Sequence, residues 1–398
     1  MNDIFTEVTR TSWSNRIGKS IKGVATGILL VLVCIGLLFW NEGRAVKTHK
    51  ALIESQGAVV SINAQEDAPQ LNGKLVHISG QAASNEILAD TLLPVTTEGL
   101  KLQRFVETYQ WKETSHSEER KTLGGDTETV TTYQYEKVWS SELIKSSGFK
   151  NLAGHQNPGE WVYKTQIWTA NQIDIGNYRL SNSHKNLIDN FQHLPVPEGI
   201  QLTEDLKKLN GQLYAGKNPK KPAIGDQRIQ FNFIPAQTYS AIGDLNNNEI
   251  HEHIASNGHV IVLLQAGSYT ANAMFEKAKS DNVTLTWALR LVGSVLLIVA
   301  FSMILKPLSV LADVVPLAGN IVEIGTGLVS FLLGSIVALV TIGIAWIFYR
   351  PLLGLALLVI VGALVYWLKR KSFHAAKTIT ENKPVSATSA YSDPTASK

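Results

Sequence analysis

The chain has 398 residues, with 36 Lys and Arg against 33 Asp and Glu, for a formal charge of +3. The basic residues are scattered rather than striped, so the electrostatic footprint of a nucleic-acid-binding protein is missing. The single cysteine, Cys34, excludes an intrachain disulfide framework and any thiolate metal cluster.

A mean hydropathy close to zero averages strongly apolar stretches with a polar middle. Residues 1–23 read as a cytoplasmic amphipathic lead-in: Trp13, Ile17 and Ile21 recur at four-residue spacing while Arg16, Lys19 and Lys22 take another face. Residues 24–40 are apolar and nearly long enough to cross a hydrocarbon core of about 30 Å. No small-residue cleavage pattern follows them, so they read as a first transmembrane helix that serves as a signal anchor.

Residues 41–286 form a large β-rich domain on the lumenal or periplasmic side. Ile229, Phe231 and Phe233 alternate with Gln230 and Asn232, and Tyr133, Tyr135 and Trp139 share a face, which is the two-residue period of strands. Gly124-Gly125-Asp126 between 105–113 and 129–140 predicts a long hairpin with a solvated, charged tip. Trp161, Tyr163 and Ile167 read as another strand, and 260–264 as a strand buried on both faces. Helical pieces are predicted at 181–194, 203–213 and 271–278.

Residues 287–305 are the second transmembrane helix, with Arg290 in its first turn reading as an anchor whose side chain reaches back to the interface. Residues 306–323 are interrupted by Asp313, Pro316, Gly319 and Asn320 and read as an interfacial segment. The third helix covers 324–348 and the fourth 352–368, joined tightly at Tyr349-Arg350-Pro351. Residues 369–398, rich in Ser, Thr, Ala and Pro, read as a cytoplasmic disordered tail. Basic residues beside the first and last spans favour cytoplasmic termini. The fold class is therefore membrane α+β: one N-terminal and three C-terminal transmembrane helices with a large β-rich noncytoplasmic domain between them. Small residues mark helix-packing positions at Gly23 and Gly27, Gly334 and Ala338, and Gly354 and Gly362; association within one chain explains them as well as self-assembly does.

Catalytic patterns are weak. His251-Glu252-His253, with His155 or Glu160, lacks the helical spacing of a zinc protease, and a lone His155 in a Gly/Pro-bounded turn more often bonds its own backbone. No metal, cofactor or catalytic residue is assigned, and an enzyme is not expected.

Local motifs go further. Asn41-Glu42-Gly43-Arg44 follows the first span; Leu75-Val76-His77-Ile78 precedes Gly80; Tyr109-Gln110-Trp111 lies in the hairpin. Trp139, His155 with Asn157-Pro158, and Asp226 with Arg228 come next, then Trp287 with Arg290, and Tyr349-Arg350-Pro351. Taken in order, these resemble the LUMA (transmembrane protein 43) family over nearly the whole chain, departing only beyond about residue 371. The resemblance implies a membrane protein of the endoplasmic reticulum and inner nuclear membrane that self-associates and organises other membrane proteins, lamins and emerin among them. In a bacterium the same chain would occupy the inner membrane with a periplasmic domain.

The leading reading is thus a non-enzymatic scaffold whose partners are the lipid bilayer, further copies of itself and other membrane proteins, with no nucleic acid. The alternative is an oligomeric ion-conducting or lipid-responsive membrane sensor, and a lumenal or periplasmic hydrolase is third.

Overall fold

The computed structural model describes residues 3–198, 201–202 and 204–351, together with 356, 359, 360, 362, 363 and 366. It begins with strand β1, Asp3–Thr11, and a 46-residue helix α1, Trp13–Ala58. The polar middle opens with β2, Leu75–Ala83, and continues into β3, Lys101–Lys121, and β4, Thr127–Ser140. A one-turn helix α2, Asn182–Asn186, separates these from β5, Leu206–Leu209, and β6, Gln212–Ala215. After β7, Gln227–Ile234, and β8, Gln237–Asn246, come helices α3, Ala271–Ala312, and α4, Pro316–Tyr349.

One sheet has the order β1-β4-β3-β7-β6-β5, with the short strands Gln192–Leu194 on β7 and Gln166–Thr169 on β3. The second is centred on β8, which pairs antiparallel with β2 from Gln237↔Ala82 to Asp244↔Leu75. Inward residues of both sheets share one core, Leu102, Val106, Ile229 and Phe231 from the first and Val76, Ile78, Tyr239 and Ala241 from the second. The two-residue period predicted this for β7, where Ile229 and Phe231 are fully buried.

A second cluster joins the C-terminal end of α1 and the N-terminal end of α3 to the sheet: Ala51, Leu52, Ala271, Met274 and Phe275 pack on Leu75 and Ile242. The two helices then run antiparallel away from the domain. A third cluster, Cys34, Leu38, Leu297 and Ala338, brings α4 against them. Among the described residues α1, α3 and α4 are the helices long and apolar enough to cross a membrane. Most of the fourth predicted span, 352–368, and the tail at 369–398 fall outside the described residues. The chain divides into compact units Met1–Ala338 and Leu339–Lys398.

Several sequence expectations change. Residues 3–11 of the lead-in are a strand, paired residue for residue with β4 from Asp3↔Tyr135 to Thr11↔Thr127, so the amphipathic spacing of Trp13, Ile17 and Ile21 belongs to the start of α1 itself. The predicted helix at 203–213 is the β5–β6 hairpin. Asn210 and Gly211 sit at φ 52° and 78°, the left-handed pair that a two-residue turn needs, and this local chemistry outweighs a weak helical period. At 181–194 one helical turn survives, because 192–194 is claimed by β7. The run 260–264 breaks into Val260–Ile261 and Leu263–Ala266 in different sheets, and Val260 is exposed. Residues 306–323 are no separate segment: α3 continues through Pro307 to Ala312, and α4 starts at Pro316.

Gly176 shows how tightly the domain is drawn. At φ 60°, a Cβ there would stand 2.1 Å from the backbone oxygen of Ala64. Gly176→Ala is expected to cost about 2–4 kcal/mol through left-handed strain and a rigid clash, read as a lower urea midpoint with unchanged slope.

His184 is buried in the same domain, Nε2 3.0 Å from the Ile242 carbonyl and Nδ1 3.1 Å from Ser181 Oγ. Burial pushes the imidazoles of His184 and His77 below their ordinary value of 6.5. The unfolded chain therefore binds these protons first. Their contribution to stability is complete above 6.5 and is lost as the pH falls below it. The thermal midpoint is expected to fall between about pH 7 and about pH 5.5, with a shallower fall in His184→Asn; a midpoint that rises on acidification contradicts this.

Candidate functional site

The residues singled out by sequence gather at two places on one frame. The first is the α1–α3 contact next to the domain. Arg290 does not reach back to the interface. Its side chain turns inward, and Nε and Nη2 lie 2.6 and 2.9 Å from the two carboxylate oxygens of Glu42, which is fully buried. The bidentate geometry explains the reversal, since two parallel charge-assisted bonds offset desolvation that a lone guanidinium could escape only by reaching water. Trp287, largely exposed, lays its ring 4.6 Å from the Arg290 guanidinium.

One turn along, Asn41 donates to the Thr286 carbonyl at 3.1 Å, and Arg44 reaches Asn282 Oδ1 at 2.9 Å and Thr286 Oγ1 at 3.0 Å. Asn282 returns a bond to the Ala45 carbonyl. Gly43 lies within this turn of α1. Deeper in the pair, a Cβ on Gly27 would meet the Ala300 carbonyl at 2.8 Å, and one on Gly334 would meet Ile298 at 2.8 Å. Ala338 is buried beside Leu297, whereas Gly23 and Gly362 face open space; Gly354 lies outside the described residues. Gly293, against Leu38, is a packing position that the spacing pattern did not mark.

The second gathering is the root of the long β3–β4 hairpin. Tyr109 packs tilted against Trp139 at 5.0 Å, the Arg228 guanidinium lies 4.1 Å over Trp139, and Arg228 also pairs with Glu107 at 2.9 Å. The Asp226 carbonyl accepts from Tyr109 N, while its carboxylate accepts from the Tyr214 hydroxyl and from Ala223 N. Pro158 lies beside Gly225. His155, buried, stacks on Tyr135 at 4.0 Å and meets Trp111 edge-on at 4.7 Å. Its Nδ1 faces the Asn151 carbonyl and its Nε2 faces Asp3 Oδ2 at 2.9 Å, so it ties β1 to the root. Burial and the Glu113 carboxylate beside its hydroxyl push Tyr135 up to about 12.

His77 stands apart, between Ser61 and the Tyr269 carbonyl. Tyr349, Arg350 and Pro351 close α4, with Arg350 N bonded to the Trp346 carbonyl and Tyr349 edge-on to Phe348. His251 and His253 fall on different short strands, next to Glu249 and Asp244 respectively.

The hairpin tip joins the far end of the helices instead of standing in solvent. Trp13 N donates to Asp126 Oδ1, Trp13 Nε1 to the Val310 carbonyl, and Gly124 N to the Val314 carbonyl. Arg16 bridges the Gly125 carbonyl at 2.6 Å and Asp313 at 2.5 Å, and Lys121 reaches Asp313 at 2.9 Å and Glu323 at 2.7 Å. A charged tip is accepted here because Arg16 and Lys121 meet Asp313 and Glu323, and the Asp126 carboxylate accepts from Trp13 N. Arg16 and Asp313 lie eight residues outside the first and second apolar segments, on opposite sides in sequence, and that symmetric spacing is the signal that could have paired them.

With this geometry in place, the relatives of the chain are informative. The family model for transmembrane protein 43 matches residues 108–351. Human transmembrane protein 43 is 31% identical over 348 residues, covering 85% of this chain and 87% of the human one. The protein belongs to the transmembrane protein 43 family. The Pongo abelii protein is also 31% identical, over 364 residues, and the Drosophila melanogaster homolog is 29% identical over 357, covering 86% of this chain and 93% of its own. No solved structure matches this chain. The family match runs from Thr108 through the rest of the hairpin and its root to α3 and α4, so Trp111, Trp139, His155, Asp226 and Arg290 lie inside it, whereas β1 and α1, with Arg16 and Glu42, precede it.

Removing one partner of the Glu42–Arg290 pair strands a buried charge. Glu42→Ala is expected to lower stability in detergent by about 3–5 kcal/mol, while Glu42→Met combined with Arg290→Met restores most of it, read from thermal unfolding by circular dichroism. Equal losses in the single and double variants would contradict the pair's role.

Proposed function

We propose that this protein is a non-enzymatic membrane scaffold that self-associates and presents its β-rich domain to other membrane proteins. The observation that carries the reading is that its most distinctive polar and aromatic side chains are engaged with one another: Glu42 with Arg290, His155 with Asp3 and Tyr135, Asp226 with Tyr214, Arg16 with Asp313. Such groups hold a shape. A general base or nucleophile needs a free lone pair aimed at a substrate, and these lone pairs face residues of the same chain.

A cleft of about 490 Å³ lined by Tyr163, Lys217, Asp226 and Gln227 illustrates the point. The Asp226 carboxylate already accepts two bonds, and Gln227 is bonded to Thr108 and Tyr163. The large apolar surfaces of α1, α3 and α4 supply lipid contact, and Leu29, Leu32 and Val33 of α1 are all exposed. In a nucleated cell this reading locates the protein in the endoplasmic reticulum and inner nuclear membrane; in a bacterium it locates it in the inner membrane with the domain in the periplasm.

Amine-reactive crosslinking in native membranes, followed by mass analysis, is expected to give homo-oligomers and reproducible membrane-protein partners. Recovery of monomers alone overturns the reading.

A further inference from the structure

The α1–α3 pair and the β1–β4–β3 arm are joined at both ends. At one end both emerge from the domain; at the other, Trp13, Arg16 and Asp313 hold the hairpin tip at Gly124 and Gly125. The apolar stretches 24–40 and 287–305 lie between those ends. A bilayer crossed by the helices is therefore also met by the arm.

The arm is unsuited to hydrocarbon. Lys112, Glu118, Glu119, Arg120, Glu128, Glu136 and Lys137 stand along it, and it is an open sheet. Among the described residues, β1 from Asp3 to Thr11 pairs on one side with β4 alone. On the other, β7 leaves β3 at Thr108, and, among the described residues, 113–121 pair with β4 alone. An open sheet edge leaves a row of backbone N–H and C=O groups unpaired, which lipid does not tolerate and which folded proteins normally cover.

The two open edges match. Asp3 and Glu113 both oppose Tyr135, and Thr11 and Lys121 both oppose Thr127, so each edge is nine residues long and occupies the same stretch of the arm. Nine strand residues extend about 30 Å, the thickness of a hydrocarbon core. Because each is antiparallel to β4, β1 and β3 run in the same direction. Copies standing side by side in one orientation can thus pair β1 of one with β3 of the next, head to tail, a contact that repeats from copy to copy and forms a ring where the rotation closes.

We propose that the arm is the self-association surface of this protein: the β1 edge joins the 113–121 edge of a neighbouring copy, so that the polar arms face one another or water and the apolar helices face lipid. This inference rests on the self-associating reading above and specifies where the copies meet.

Within one copy Thr9 and Glu119 both face Thr129, one on each side of β4. They are separated by an intervening strand, or about 9–10 Å, too far for an intrachain disulfide. The experiment uses full-length protein in its membrane with Cys34→Ala. Thr9→Cys combined with Glu119→Cys is oxidised, and Glu7→Cys or Thr11→Cys with Glu119→Cys covers a two-residue slip of register. The expected result is a ladder of covalent multimers in at least one pair and in none of the single variants. Monomers in every pair overturn the inference, as does a dimer formed by Thr9→Cys alone, which would mean β1 meeting β1. Amine crosslinking of the unaltered chain separates the two claims: multimers there without a disulfide ladder remove only the arm interface, and monomers in both remove self-association as well.

Discussion

A carboxylate and a guanidinium buried together between two apolar helices leave little freedom in how those helices meet. Glu42 and Arg290 satisfy each other in a bidentate pair, and sliding either helix by one turn would part them and expose both charges to surroundings that cannot solvate them. Van der Waals packing at Gly27, Gly293 and Gly334 tolerates several arrangements of similar energy; the ion pair does not. It therefore sets the register of α1 on α3, and Asn41, Arg44, Asn282 and Thr286 extend the same constraint toward the domain.

That register decides what happens about 40 Å away. Only with α1 and α3 aligned in this way do Arg16 and Asp313 arrive at the same level, where a third element, the hairpin tip, can join them. The arm is in turn stiffened at its root by His155, whose two ring nitrogens face β1 and the 151 turn while its ring lies against Tyr135 and Trp111. Helix pair, tip and arm close a loop that passes back through the β-rich domain.

The functional reading follows from what these side chains are occupied with. Glu42 and Arg290, Arg16 and Asp313, and His155 and Asp3 face one another, while the buried imidazoles of His77 and His184 face backbone carbonyls. The open valences of the frame are instead the backbone edges of β1 and of residues 113–121 and the apolar faces of the helices. Backbone edges and apolar surface are the two features through which a protein meets other polypeptides and lipid.

Much of this was legible in the order of residues. Apolar length revealed the helices, because crossing hydrocarbon demands consecutive apolar residues whatever the neighbours. The two-residue period revealed β4 and β7, and the Gly124-Gly125-Asp126 turn between 105–113 and 129–140 revealed the hairpin and with it β3. The differences have two causes. At 203–213 the Asn210-Gly211 turn, a local feature, makes a hairpin where the spacing predicts a helix, whereas Arg290 and the hairpin tip depart from expectation because their deciding partners, Glu42 and Asp313, lie far away in sequence. Local composition thus determined which segments are apolar enough to span and which strands carry the strongest alternation. Which charge meets which, and so whether a polar group is an anchor, a lock or a free end, was decided only in the tertiary structure, because the energy of a charge depends on what folding places beside it.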